Sequence, residues 1–142
     1  LTPDRQGRDR IKILEDTNGD GRCDVVKVFA EGLNVPTSIV FANGGVIVAH
    51  APDFLFFQDT DGDDVADVRE VLNTGWGVAD THAGPSNLRY GLDNCILGTV
   101  GYSGGGAARR AEREAEEELL REEGGGVLLR ARRDDERALA AE

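Results

Sequence analysis

The sequence predicts an all-β fold, a partial β-propeller of about one and a half four-stranded blades carrying a charged, helical or disordered C-terminal tail. Three observations carry that prediction: an internal repeat, short apolar runs set between turn formers, and an abrupt change of composition near Ser103.

The repeat aligns DTNGDGRCDVVKVFAEG from Asp16 with DTDGDDVADVREVLNTG from Asp59, giving eight identities in seventeen positions at a constant offset of 43. A period of about 40–50 residues is that of propeller blades, which bury their apolar faces by stacking on one another. Between the copies lie four short runs: VVKVFA from Val25, SIVFA from Ser38, VIVAH from Val46 and FLFFQ from Phe54. They are β-branched and aromatic, and none offers a helix-length amphipathic stripe. Gly32, Asn34 and Pro36, then Asn43-Gly44-Gly45, then Pro52-Asp53 punctuate them, and Asn-Gly between two such runs is a hairpin signal. Taken in chain order, these four runs make one blade. A second unit continues with DVREVL from Asp67, SNLRY from Ser86 and CILGT from Cys95, without a recognisable fourth run. Two blades' worth of sheet cannot close a ring, so an open edge and an uncovered apolar face are expected.

Each copy of the repeat begins with an acidic loop. Asp16, Asn18, Asp20 and Asp24 stand at relative positions 1, 3, 5 and 9, and Asp59, Asp61, Asp63 and Asp67 repeat them. Oxygen ligands at alternate positions of a curled loop converge on one hard cation, and the position-7 carbonyl, of Arg22 or Val65, completes the shell. Carboxylates so close together repel unless a cation lies between them, which makes calcium the expected occupant. Its expected role is structural, pinning the crossing from one blade to the next. Neither loop is a full EF-hand: Lys27 occupies position 12 of the first, and Asp64 replaces the turn glycine of the second. On that count the first loop is the better candidate. The alternative is that both are polar turns, since Asp, Asn and Gly are ordinary turn residues.

The net charge of −11 and pI near 4.6 exclude nucleic-acid binding by phosphate neutralisation, which needs a basic face. No apolar run reaches the length of a membrane span. The opening LTPDRQGRDR has neither an initiator Met nor an apolar signal core, so the natural N-terminus is expected upstream. Cys23 and Cys95 are not in a CxxC or CxxCH arrangement and are expected to be small buried residues rather than a disulfide.

IVFANGGVIV from Ile39 matches LRYGLDNCIL from Leu88 at an offset of 49, so the second unit has gained six residues. They fall within WGVADTHAGPSN, which holds Asp80 and His82. An insertion in one repeat marks a loop on the binding face, and a histidine there can serve as a general base. The structural alternative is a loop histidine bonded to Asp80. His50, at a strand end, is expected to pack or to sit at the rim, and Trp76 to be core.

The DxDGDGxxD-type loops, N-x-P-T-x-I at Asn34 to Ile39, AHAPD at Ala49 to Asp53 and D-T-H-x-x-P-x-N-L-R-x-G at Asp80 to Gly91 together carry a family resemblance. Over about Arg10 to Gly104 the chain resembles the propeller domain of the membrane-bound dehydrogenase proteins of planctomycetes and verrucomicrobia. That haem-binding family is related to the soluble quinoprotein glucose and sorbosone dehydrogenases. The resemblance implies an extracytoplasmic sugar or alcohol dehydrogenase whose cofactor is pyrroloquinoline quinone. It makes His82 the general base and Asp80 the residue that orients it, with the remaining propeller blades of a longer parent as partners. Ala83 stands where the family often has a second histidine, and Gly91-Leu92-Asp93-Asn94 where it has GPDG. The competing class is a non-catalytic, calcium-stabilised propeller that binds carbohydrate or protein.

These features divide the chain into a propeller segment, 1–103, and a tail, 104–142. The tail uses seven residue types in 39 positions, and its Ala, Glu, Arg and Leu favour helix. Glu112, Glu116 and Leu120 fall at i, i+4 spacing, interrupted by Gly124-Gly125-Gly126. Such a composition after an unfinished blade is expected of a frame-shifted or misassembled continuation of a GC-rich gene, an origin that sequencing of the genomic locus tests.

Overall fold

The computed structural model describes residues 7–101 and the strands at 105–109, 120–121 and 127–128. All of its regular structure is β, and no helix among the described residues is long and apolar enough to cross a membrane. The strands are β1 (Asp9–Glu15), β2 (Val25–Leu33), β3 (Ser38–Ala42), β4 (Gly45–His50), β5 (Asp53–Gln58), β6 (Val68–Trp76), β7 (Ser86–Tyr90), β8 (Ile96–Thr99), β9 (Gly105–Arg109), β10 (Leu120–Arg121) and β11 (Val127–Leu128).

They form an antiparallel meander β3-β4-β5-β6, extended by β9, and three two-stranded sheets, β1-β2, β7-β8 and β10-β11. The first three sheets stack as propeller blades do, with β3–β6 in the middle. Every apolar run read from the sequence is a strand, but the blade begins one run later than expected. VVKVFA is not the first strand of the complete sheet; it pairs back onto β1, with Leu14 opposite Val26 and Glu15 opposite Val25. The strand equivalent to it, β6, closes the complete sheet against β5. One full blade thus lies between two half-blades.

The continuous apolar runs of β4 and β5 follow from burial on both faces. Alternate side chains point to opposite sides of a strand. Val46, Val48, Leu55 and Phe57 pack with Phe29 and Leu33 toward β1-β2. Ile47, Ala49 and Phe54 pack with Trp76, Leu88 and Ile96 toward β7-β8. The Trp76 ring meets Phe54 edge-on at 5.3 Å, and its indole N–H donates to Asn73 Oδ1 at 2.7 Å. The β3–β4 turn has Asn43 and Gly44 at φ of 49° and 73°, the doubly left-handed geometry that Asn-Gly accommodates. Gly45 is required for a different reason: a Cβ there would lie 2.2 Å from the Phe57 carbonyl oxygen.

The match of β3–β4 to β7–β8 slips by one residue. Phe41 faces Val46 in the first pair, so the sequence alignment would place Tyr90 opposite Cys95; instead Tyr90 faces Ile96. A one-residue slip turns a strand over, and here it turns Ile96 onto the central sheet. The slip follows a hairpin in which Asn94 takes a φ of 60° and the Gly91 N–H donates to the Cys95 carbonyl at 2.7 Å. Cys95 is buried, as expected, but Cys23 is exposed in the first acidic loop, and the two are not joined in a disulfide.

The described parts of the tail are extended, not helical. Residues 105–109 form β9 and add to the β6 edge, with Asn73 opposite Arg109 and Trp76 opposite Gly105, while Leu120–Arg121 pairs with Val127–Leu128. An exposed strand edge offers unpaired backbone groups that recruit such a segment despite its helical propensity. Glu112, Glu116 and the triple glycine lie outside the described residues.

Candidate metal centre and histidine loop

The two acidic loops share most of their hydrogen bonding. In the first, Asp16 accepts from the backbone N–H groups of Gly19 at 2.7 Å, Asp20 at 3.2 Å and Gly21 at 2.7 Å. In the second, Asp59 accepts from Asp61 at 3.2 Å, Gly62 at 2.7 Å and Asp64 at 2.8 Å. Asp24 clamps the N–H and hydroxyl of Thr17, and Asp67 clamps those of Thr60. Asp20 and Asp63 cap the N–H groups of Arg22 and Val65, both at 2.8 Å. The curl therefore comes from the position-1 carboxylate gathering the loop's N–H groups, and it turns at left-handed glycines, Gly19 and Gly62. Asp64, at a φ of 67°, adopts the left-handed conformation that Gly21 holds at 82° in the first loop, a conformation Asp tolerates.

The carboxylates converge most closely in the second loop, where Asp59, Asp61 and Asp63 each offer an oxygen within 4.8 Å of the others. This cluster can hold a metal ion. The sequence pattern favoured the first loop; the geometry assembles a carboxylate triad in the second, because position 3 there is Asp61 rather than Asn18. Electrostatics agree. The charge of Asp63 pushes the Asp61 carboxyl above the usual range. Backbone N–H donation, from Gly62 first, holds Asp59 below it, as Gly21 first does for Asp16. Thr17, through its hydroxyl first, holds Asp24 low.

Both loops lie within hairpins, β1–β2 and β5–β6, and not at chain crossings between blades as expected. The second loop ties neighbouring sheets by contact instead. Its Ala66 N–H donates to the Phe29 carbonyl of β2 at 2.8 Å. Lys27 of β2 bridges Glu15 at 2.9 Å and Asp64 at 2.5 Å. Those two carboxylates, Asp64 first, raise the Lys27 pKa well above that of an ordinary lysine. Sequence inspection missed this bridge: Lys27 read only as a departure at position 12, and its partner stands 37 residues away.

The histidine loop occupies the opposite end of the sheets. β5 runs from the His50–Asp53 turn to the acidic loop, and β6 returns to Trp76, whose N–H donates to the Pro52 carbonyl at 3.1 Å. Three of the four motifs read from the sequence converge at this end. Asn34 donates its N–H to Nε2 of buried His50 at 2.9 Å. The Thr37 hydroxyl lies 3.2 Å from the Ala49 carbonyl and 2.5 Å from that of Pro85. Asp53 accepts from the Thr74 hydroxyl at 2.5 Å. His50 and Trp76 are thus core, and the insertion is sewn to β3 and β4. His82 itself is in the loop between β6 and β7, with its side chain 95% exposed and Nδ1 3.2 Å from Asp80 Oδ1. The same Asp80 oxygen accepts the His82 N–H at 2.8 Å. Asp80 is thus hydrogen-bonded to both the backbone and the ring of this histidine.

Fold and site together define an all-β, propeller-like chain with repeated acidic hairpin loops, one of which gathers a carboxylate triad. The chain belongs to the family described as a domain of unknown function (DUF7133), whose model matches residues 2–136 and so runs through the compositional change after Ser103. No curated protein and no solved structure matches the chain.

Proposed function

We propose that this chain is a calcium-stabilised propeller segment whose acidic hairpin loops bind the ion at one end and whose inserted loop presents a ligand-facing surface at the other. The observation that carries this reading is the convergence of Asp59, Asp61 and Asp63 within 4.8 Å, at the end of the hairpin. A triad of hard oxygen donors on a curled loop suits calcium, with the Val65 carbonyl and Asp67 at the positions that complete such a shell. The first loop, with Asp16, Asn18, Asp20, the Arg22 carbonyl and Asp24, is a second and weaker site. Loops of this kind serve modules in the millimolar calcium outside the cytoplasm, which supports an extracytoplasmic location. Melting in saturating calcium is expected roughly 10 °C above melting in chelator, the shift that binding to the folded state alone produces. Equal melting temperatures would reject the reading.

A second reading, oxidation of a sugar or alcohol as the family resemblance implies, is favoured by the Asp80–His82 hydrogen bond. A neutral His82 imidazole oriented by Asp80 would take the substrate hydroxyl proton. The described residues do not fit a quinone at this position. With the His82 ring 95% exposed, they form no wall beside it against which a planar cofactor could stack, and on this reading the walls would come from other blades of a longer parent. In such a parent, His82→Ala is expected to lower substrate oxidation by about a hundredfold with the melting temperature unchanged. Unaltered turnover would leave the binding propeller as the reading.

A further inference from the structure

We infer that Asn18 is a self-catalysed modification site: the Gly19 backbone nitrogen attacks the Asn18 side-chain amide with Asp16 as base, and the deamidation gives the first acidic loop the carboxylates of the second. The inference rests on the geometry of the loop and not on the calcium reading.

The sequence holds two Asn-Gly pairs, Asn18-Gly19 and Asn43-Gly44. Glycine has no Cβ to hinder close approach to its backbone, so each pair presents an open nucleophile. Only the first is equipped for the reaction. The Gly19 N–H donates to Asp16 Oδ1 at 2.7 Å, which puts a carboxylate within reach of the proton that must leave the attacking nitrogen. The Asp20 N–H donates to Asn18 Oδ1 at 2.9 Å. That donor sits on the oxygen where negative charge grows as the side-chain carbonyl is attacked, which is the placement of an oxyanion hole. The same bond turns the Asn18 side chain forward along the chain, toward the Gly19 nitrogen. Residues 16–24 are all exposed, so water has access to the product of the attack. At Asn43-Gly44, the paired Ala42 and Gly45 fix both ends of the turn. Among the described residues no carboxylate accepts the Gly44 N–H.

In the first step the Gly19 nitrogen bonds to Asn18 Cγ while Asp16 takes its proton. The proton passes to Nδ2, the Cγ–Nδ2 bond breaks, and ammonia leaves a five-membered imide. Water then opens the ring, and nothing is oxidised or reduced. Addition of water at Cγ gives aspartate at position 18; addition at the main-chain carbonyl gives the isoaspartyl isomer. The aspartate fits the loop, because Asp61 already occupies the equivalent position of the second one. There its Oδ1 accepts the Asp63 N–H at 3.3 Å, as Asn18 Oδ1 accepts that of Asp20.

The test is to incubate the full chain at neutral pH in chelator and to follow each amide by peptide mapping, reading the mass gained when an amide becomes an acid. Asn18 is expected to convert at least about tenfold faster than Asn43, a modest share of what a positioned base contributes. In urea the two rates should converge, since the dipeptides are the same and only the fold distinguishes them. Asp16→Asn should slow Asn18 toward the Asn43 rate, whereas a loop merely loosened by the substitution would convert faster. Persistence of the Asn18 amide, an Asn43 rate equal to or above it in the folded chain, a preference for Asn18 that survives in urea, or an Asp16→Asn protein that deamidates no slower than wild type would overturn the inference.

Discussion

Phe57→Ala is expected to lower the unfolding free energy by about 3–5 kcal/mol, the range for deleting a buried aromatic ring. Phe57 is 2% exposed and joins the central sheet to β1-β2 through Phe29, Leu33, Val46, Val48 and Leu55. Its ring also lies under the Arg69 guanidinium, 5.4 Å from the ring centroid. β4 and β6 pair with β5 along both of its edges and hold the backbone, so the cavity collapses only in part, and the cost is a large part of the roughly 5–15 kcal/mol typical of a domain. Phe41→Ala, at an exposed position, should change the monomer by no more than about 0.5 kcal/mol. Urea unfolding of the two variants measures the contrast, and equal losses would mean that the two-faced packing of β5 is wrong.

Asp61→Asn is expected to stabilise the chain in chelator and to weaken calcium binding on the order of a hundredfold at neutral pH. The two effects share one cause. Asp61 is raised chiefly by Asp63, so its ionised form destabilises the calcium-free fold above its native pKa, and that cost is relieved as pH falls through the raised value. Asp59 behaves oppositely: held low mainly by the Gly62 N–H, it contributes stability above the unfolded pKa that is lost as pH falls through the depressed value. Calcium competes with protons for the same oxygens. The calcium-induced gain in melting temperature should therefore be full at pH 7 and shrink as pH falls through the ordinary carboxylate range near about 4. Scanning calorimetry of wild type and Asp61→Asn, with calcium and with chelator, tests both signs. A variant less stable than wild type in chelator, or one with an undiminished calcium response, would remove the triad from consideration.

Local chemistry made much of this protein legible in its sequence. The apolar runs, the Asn43-Gly44 turn and the curled acidic loops depend on side-chain alternation, left-handed tolerance and short-range hydrogen bonds, all of which act within about ten residues. The exposed histidine loop was legible for a related reason: six extra residues in one copy of a repeat must leave the sheet. Tertiary pairing decided the rest. A repeat fixes a period but not the point at which a sheet begins, so only the ladder between β5 and β6 shows that the acidic loop lies inside a blade. The slip that turned Ile96 inward, the Lys27–Asp64 bridge and the recruitment of residues 105–109 to the β6 edge each join segments by contacts between strands and loops that sequence spacing does not encode. Helical propensity in the tail is worth only tenths of a kcal/mol per residue, whereas an open edge offers a row of backbone donors and acceptors, and there the edge prevailed.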